Sequence, residues 1–119
     1  MPALDLQFAA RNLPAGTNGY LDIYLTRADT RAPLTKTTII ANNSNPDWPG
    51  TYRFWVNSGE QIRLDAEVQN DRGSQQPATL LGTVTFDLAS LLDDPSQHCK
   101  LDPNPNGNAV VIVRSVSSR

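Results

Sequence analysis

Two prolines, Pro46 and Pro49, constrain this chain more than any other feature. Each fixes φ and removes a backbone N–H, so Asn45 to Gly50 cannot lie inside a sheet ladder. Asn45-Pro46-Asp47 is a turn: proline presets the first central position, and Asn or Asp side chains bond the local backbone. After Gly50 the pattern switches to strict alternation. Tyr52, Phe54 and Val56 point one way while Arg53, Trp55 and Asn57 point the other. A proline turn thus delivers the most aromatic strand of the protein. The preceding segment, Leu34 to Ala41, is rich in Thr and Ile and reads as its antiparallel partner around the turn.

The same alternation recurs along the chain. Leu4, Leu6 and Phe8 alternate with Asp5 and Gln7, and Leu21, Ile23 and Leu25 alternate with Tyr20, Asp22, Tyr24 and Thr26. Ala28 to Pro33 reads as a polar connection, and Ser58-Gly59 as a hairpin turn. The cleanest run sets Ile62, Leu64, Ala66 and Val68 against Arg63, Asp65, Glu67 and Gln69, ahead of a wholly polar loop, Asn70 to Pro77. Ala78 to Leu88 is strand-like, with Gly82 marking a bulge or a close backbone approach. Leu88 to Leu92 suits one packed helical turn, and Gln97 to Leu101 a short strand. The β-branched run Ala109 to Val116 predicts a strand covered on both sides or nearly so. Eight strands with turn signals at regular spacing predict an all-β fold, an eight-stranded antiparallel β-sandwich forming one domain over residues 1–119.

Composition removes several functions. A net charge of −2 with no basic stripe gives no footprint for nucleic acid. The lone Cys99 excludes an internal disulfide framework and a cysteine zinc site. No apolar run approaches membrane-spanning length, and the N-terminus lacks signal-peptide regions, so the reading is cytoplasmic. His98 and Cys99 are neighbours on a strand and face opposite ways, so they cannot act as a nucleophile–base pair. Asp65 and Glu67 share a strand face and read as solvated carboxylates. The chain is therefore expected to bind rather than to catalyse.

The order of motifs resembles the C2 domain family. Members open with an apolar strand and an Ala-x-x-Leu sequence, where this chain has Ala10-Arg11-Asn12-Leu13. Their Gly-x-Ser-Asp-Pro-Tyr signature is matched in shape by Gly16-Thr17-Asn18-Gly19-Tyr20. A Thr-bearing strand at Lys36-Thr37 leads to Asn45-Pro46-Asp47-Trp48 and Tyr52-Arg53-Phe54, which fit the family's Asn-Pro-x-Trp and aromatic strand. Leu81-Gly82, followed by Val84, Phe86, Leu88 and Leu91, fits its later Leu-Gly. The resemblance runs from Leu4 to Val113 and implies the type II permutation, in which the Ala-x-x-Leu strand comes first. It also implies that Trp48 packs inward to anchor its turn, and leaves the exposure of Trp55 open.

Family members hold calcium at one end of the sandwich through several loop aspartates, and calcium then bridges to acidic lipid headgroups. Calcium needs roughly 6–8 oxygen ligands with several carboxylates among them. Here the matching positions are Asn18, Asn70 and Asp71, with neutral Gln75 and Gln76 further on and Arg72 beside the single carboxylate. The resemblance thus implies degenerate calcium loops, no metal or other cofactor, and at most weak calcium binding of about 10⁻³ M. It also implies a basic face on the third and fourth strands, made by Lys36 and Arg53 with Arg27 and Arg31 nearby. The expected function is a calcium-independent or weakly calcium-dependent module of a larger protein. Its partner would be an anionic phospholipid membrane surface approached peripherally, or alternatively another protein without lipid or calcium.

Overall fold

A computed structural model describes residues 3–27, 30–55, 61–73, 75–104 and 107–116. Among them lie eight strands: β1 (Ala3–Arg11), β2 (Gly19–Arg27), β3 (Thr30–Lys36), β4 (Tyr52–Trp55), β5 (Ile62–Asn70), β6 (Thr79–Asp87), β7 (Ser96–Lys100) and β8 (Val110–Val116). A single 3₁₀ turn among these residues, Ala89–Leu92, precedes β7 and buries Leu91. The strands form two antiparallel sheets, ordered β4-β1-β8-β7 and β3-β2-β5-β6. The Ala-x-x-Leu strand is β1, the first described strand, and it pairs with β8 from Asp5↔Val116 to Arg11↔Val110.

Alternation dictates the packing. Leu4, Leu6, Phe8 and Ala10 of β1 turn inward, as do Ile62, Leu64, Ala66 and Val68 of β5, and all are buried. Odd-numbered residues of β1 and β5 face out, so each sheet contributes one apolar face to a shared core. β8 obeys the same rule. Val111 and Val113 are fully buried while Arg114 is exposed, so the β-branched run is covered on one side and not on both. Its run of valines reflects a central position between β1 and β7.

The expected pairing around the proline turn does not form. β3 begins at Thr30, earlier than the sequence pattern placed it, and pairs with β2 instead of β4. Pro33 sits in this strand because β3 is an edge, and Leu34 lies opposite a register shift as an unpaired bulge residue. Beyond Lys36 the chain still tracks β2 through Thr37 N–H to Leu21 O and the Gly19–Ile40 pair, then leaves the sheet. The proline turn is bolted to the opposite sheet: Ala10 N–H donates to Pro46 O at 2.9 Å and Trp48 N–H to Phe8 O at 3.1 Å. β4 then pairs with the first half of β1, Ala3↔Trp55 to Leu6↔Tyr52. Val56, Asn57 and Ser58-Gly59 lie outside the described residues, and the strands flanking them belong to different sheets.

Two residues pin this architecture. Trp48 is buried at 3 % exposure, and its Nε1–H donates to Gly19 O at 3.1 Å, tying the turn to the start of β2. Gly82 meets both expectations placed on it. The register of β5 against β6 shifts beside it, and a Cβ there would lie 2.6 Å from Pro103 O.

Candidate functional site

Three regions bear on binding: the loop end and the outward faces of the two sheets. The connections β1–β2, β3–β4 and β5–β6 meet at one end, and Asn18 stands where they touch. Asn18 Oδ1 accepts the Asn42 N–H at 2.8 Å, and Asn18 Nδ2–H donates to Asp71 O at 3.2 Å. The backbone completes the joint, with Asn18 N–H donating to Asn70 Oδ1 and Asp71 N–H to Asn18 O. Asn12 adds a second joint, its N–H donating to Asn45 Oδ1 and its Nδ2–H to Asn108 O. Asn12 and Asn42 both sit at positive φ, 62° and 51°, a region asparagine tolerates better than most residues.

The chemistry follows from the amide group. A neutral carboxamide donates and accepts, so it can join two loops by itself, whereas a carboxylate only accepts and needs a cation between loops. Asn18 Oδ1 and Asn70 Oδ1 already accept N–H groups, leaving Asp71 as the one carboxylate of this joint among the described residues. No group of three or more potential metal-ligating side chains occurs among those residues. This donor set does not fit calcium.

On the outward face of β3-β2-β5-β6 the two cations of β3 are met by carboxylates of β2 and β5. Arg31 Nη2 lies 3.1 Å from Glu67 and its Nε 3.8 Å from Asp65, while its guanidinium covers the Tyr24 ring at 3.9 Å. Lys36 Nζ stands 3.8 Å from Asp22 Oδ1, an atom that is covered and holds no hydrogen bond among the described residues. Thr26 and Thr85 hydroxyls both donate to Asp65. Asp65 and Glu67 are thus held carboxylates, with side chains 18 % and 19 % exposed, in contrast to the solvated pair the sequence suggested. Burial first, then the negative charges of Glu67 and Asp22, raises the Tyr24 phenol above its ordinary pKa. Counting Arg63 and Asp87, this face sets three cations against four carboxylates among the described residues.

The four basic residues expected to share a face are divided. Arg31 and Lys36 lie together on β3, in the ion pairs just described. Arg27 ends β2 at the opposite end of the β2–β3 ladder from Lys36, pairing with Thr30 where Lys36 pairs with Asp22. Arg53 lies on the other sheet altogether, its Nε and Nη2 donating to Asp5 at 2.8 and 3.0 Å. The numbering of strands misled here: the third and fourth strands are sequence neighbours but belong to different layers, because the proline turn carries the chain across.

The outward face of β4-β1-β8-β7 was not anticipated. Arg53, Arg11, Arg114 and Lys100 project there, one from each strand, against Asp5 and the loop residue Asp47. Arg11 Nη2 pairs with Asp47 at 2.9 Å, and Arg114 Nη2–H donates to the neutral Gln7 Oε1 at 2.6 Å. A groove of about 520 Å³ runs between Arg11, Asp47, Gly50, Ser96, Ile112 and Arg114. Trp55 stands on the same face, 55 % exposed, settling the question the sequence left open. The available signal was parity: Arg11 continues the outward register of Asp5 and Gln7, and Arg114 falls out of step with the inward Val111 and Val113. His98 is exposed on this face while Cys99 turns the other way, and burial pushes the Cys99 thiol up.

Comparison with known proteins agrees with this geometry. The C2 domain family model matches residues 7–103. A solved structure described as a C2 domain superposes with a TM-score of 0.63 at 23% identity, covering 97% of this chain and 98% of that one. A C2 domain of plant extended synaptotagmin 1 superposes at 0.69 with 15% identity, covering 98% and 96%. Human GIVD cytosolic phospholipase A2 superposes at 0.72 with 20% identity, covering 96% of this chain but 16% of the enzyme's. No curated protein sequence gives a significant match. Eight antiparallel strands in this order, the Ala-x-x-Leu and Asn-Pro-x-Trp positions, and a family match over most of the chain lead to one conclusion: the chain belongs to the C2 domain family.

Proposed function

We propose that this C2 domain is a calcium-independent tether that docks a larger cytoplasmic protein peripherally on anionic phospholipid membranes. The observation that carries the calcium independence is Asn18. Its amide makes the loop-to-loop bonds that calcium makes between carboxylates elsewhere in the family, so the loop end is assembled without an ion. The family is one of binding modules, which supports docking in place of catalysis. The match to a small fraction of a cytosolic phospholipase A2 supports a role as one module of a longer chain.

The test is co-sedimentation with phosphatidylcholine vesicles and with equimolar phosphatidylcholine–phosphatidylserine vesicles, in calcium and in chelator. The reading predicts pelleting with the anionic vesicles alone, to the same extent in both buffers. Binding that appears only with calcium would overturn the calcium independence. No pelleting with either vesicle would overturn the lipid reading and favour a protein partner.

A further inference from the structure

We infer that the membrane-facing surface of this domain is the outward face of the β4-β1-β8-β7 sheet, with Arg114 and Lys100 as its charge contacts and Trp55 as its interfacial anchor. This rests on the lipid reading proposed above and assigns it a surface.

The two outward faces offer opposite electrostatics. On β3-β2-β5-β6 both Arg31 and Lys36 of β3 are held by carboxylates of their own sheet. A phosphate approaching there would have to displace an anion already in place. On β4-β1-β8-β7 the cations outnumber the carboxylates, and among the described residues neither Arg114 nor Lys100 belongs to an ion pair. Arg114 holds the neutral Gln7 amide, so its planar fork keeps its full charge for a phosphate oxygen.

The layout fits a bilayer better than an acidic peptide. The cations come one from each of four strands, spread across a width of about 15 Å at the usual strand spacing, instead of lining one cleft. Such a spread matches a plane of headgroups. Trp55 adds the second element, at the Ala3 end of the face and opposite the Lys100 end, since a half-exposed indole is favoured where headgroups meet acyl chains. It lies on β4, the edge strand opposite β7, whereas Asp93 and Asp94, in the turn before β7, stand beside the Ser96–Arg114 pair at the other edge.

The experiment compares two variants of equal net charge on equimolar phosphatidylcholine–phosphatidylserine vesicles, with thermal melts to confirm folding. Arg114→Gln with Lys100→Gln should weaken binding on the order of 25-fold, from about fivefold per cation near an anionic surface. Arg31→Gln with Lys36→Gln should leave binding nearly unchanged. A drop confined to the second variant would overturn this surface while leaving the lipid reading intact. Failure of the unsubstituted domain to bind vesicles would overturn both. If the unsubstituted domain binds poly-glutamate through Arg114 and Lys100 but no vesicle, the face docks an acidic protein and the inference is wrong.

Discussion

The two outward faces of this sandwich are built from the same kinds of residue and do opposite things with them. Both carry arginine, lysine, aspartate and aromatic rings on alternating strand positions. On β3-β2-β5-β6, Arg31 stacks on Tyr24 and meets Asp65 and Glu67, and Lys36 meets Asp22, so the cations of β3 are met within their own sheet. On β4-β1-β8-β7 the carboxylates are fewer among the described residues, and Arg114 and Lys100 remain directed at solvent. The number of basic residues in a strand therefore says little about what that strand can bind. Which strand lies beside it decides the matter.

The largest expected effect concerns the joint between the two layers. Trp48 holds the proline turn against both β1 and the start of β2, so Trp48→Ala should cost about 3–5 kcal/mol of stability. Denaturant unfolding would show this, and an unmoved midpoint would mean that the crossover is held by something else. Trp55→Ala, on an exposed site, should leave stability nearly unchanged.

Next comes the loop end. Asn18→Ala removes one acceptor and one donor that join three loops, and should cost about 1–2 kcal/mol. Asn18→Asp keeps the acceptor for Asn42 N–H but loses the donor to Asp71 O and sets two carboxylates close together. It should be destabilising, and calorimetry should still show no micromolar calcium site, because two carboxylates are too few. Tight calcium binding by this variant would show that the loop end is one residue away from the family's metal site.

Smaller effects separate the faces. Arg31→Gln should cost below about 1 kcal/mol, since its side chain is 46 % exposed and such pairs are screened. The Tyr24 phenol gives the smallest signal. Its folded pKa lies above the ordinary value of 10.0, so its contribution to stability is complete below that value and is lost as pH rises through the folded pKa. Ultraviolet titration should find a late-titrating tyrosine. Glu67→Gln should lower its pKa only in part, because burial is the leading cause.

Much of the fold was legible because strand identity is local. Period-two alternation named the buried residues of β1 and β5 and, in β2, Leu21 and Ile23 but not the covered Thr26, and the glycine inside β6 announced its bulge. Pairing was not legible. β1 meets β8 through residues as far apart as Gln7 and Arg114, and β3 and β4 flank one turn yet lie in different sheets. No local pattern records either fact. The same division explains the sites. Asn18, Asn70 and Asp71 were grouped by the family resemblance, and they do meet at one loop joint. The cations were misgrouped because membership of a face depends on which distant strand comes alongside.

The central claim is that docking is calcium-free and runs through the cationic face. It is tested most directly by the emission of Trp55 on anionic vesicles whose acyl chains carry bromine, in the presence of chelator. Trp48, buried, supplies an unquenched background, and Trp55→Phe identifies the signal. The account predicts quenching of Trp55 without calcium, lost as salt shortens the screening length below roughly 8 Å. Emission that is unquenched in chelator, or quenched only when calcium is added, would contradict it.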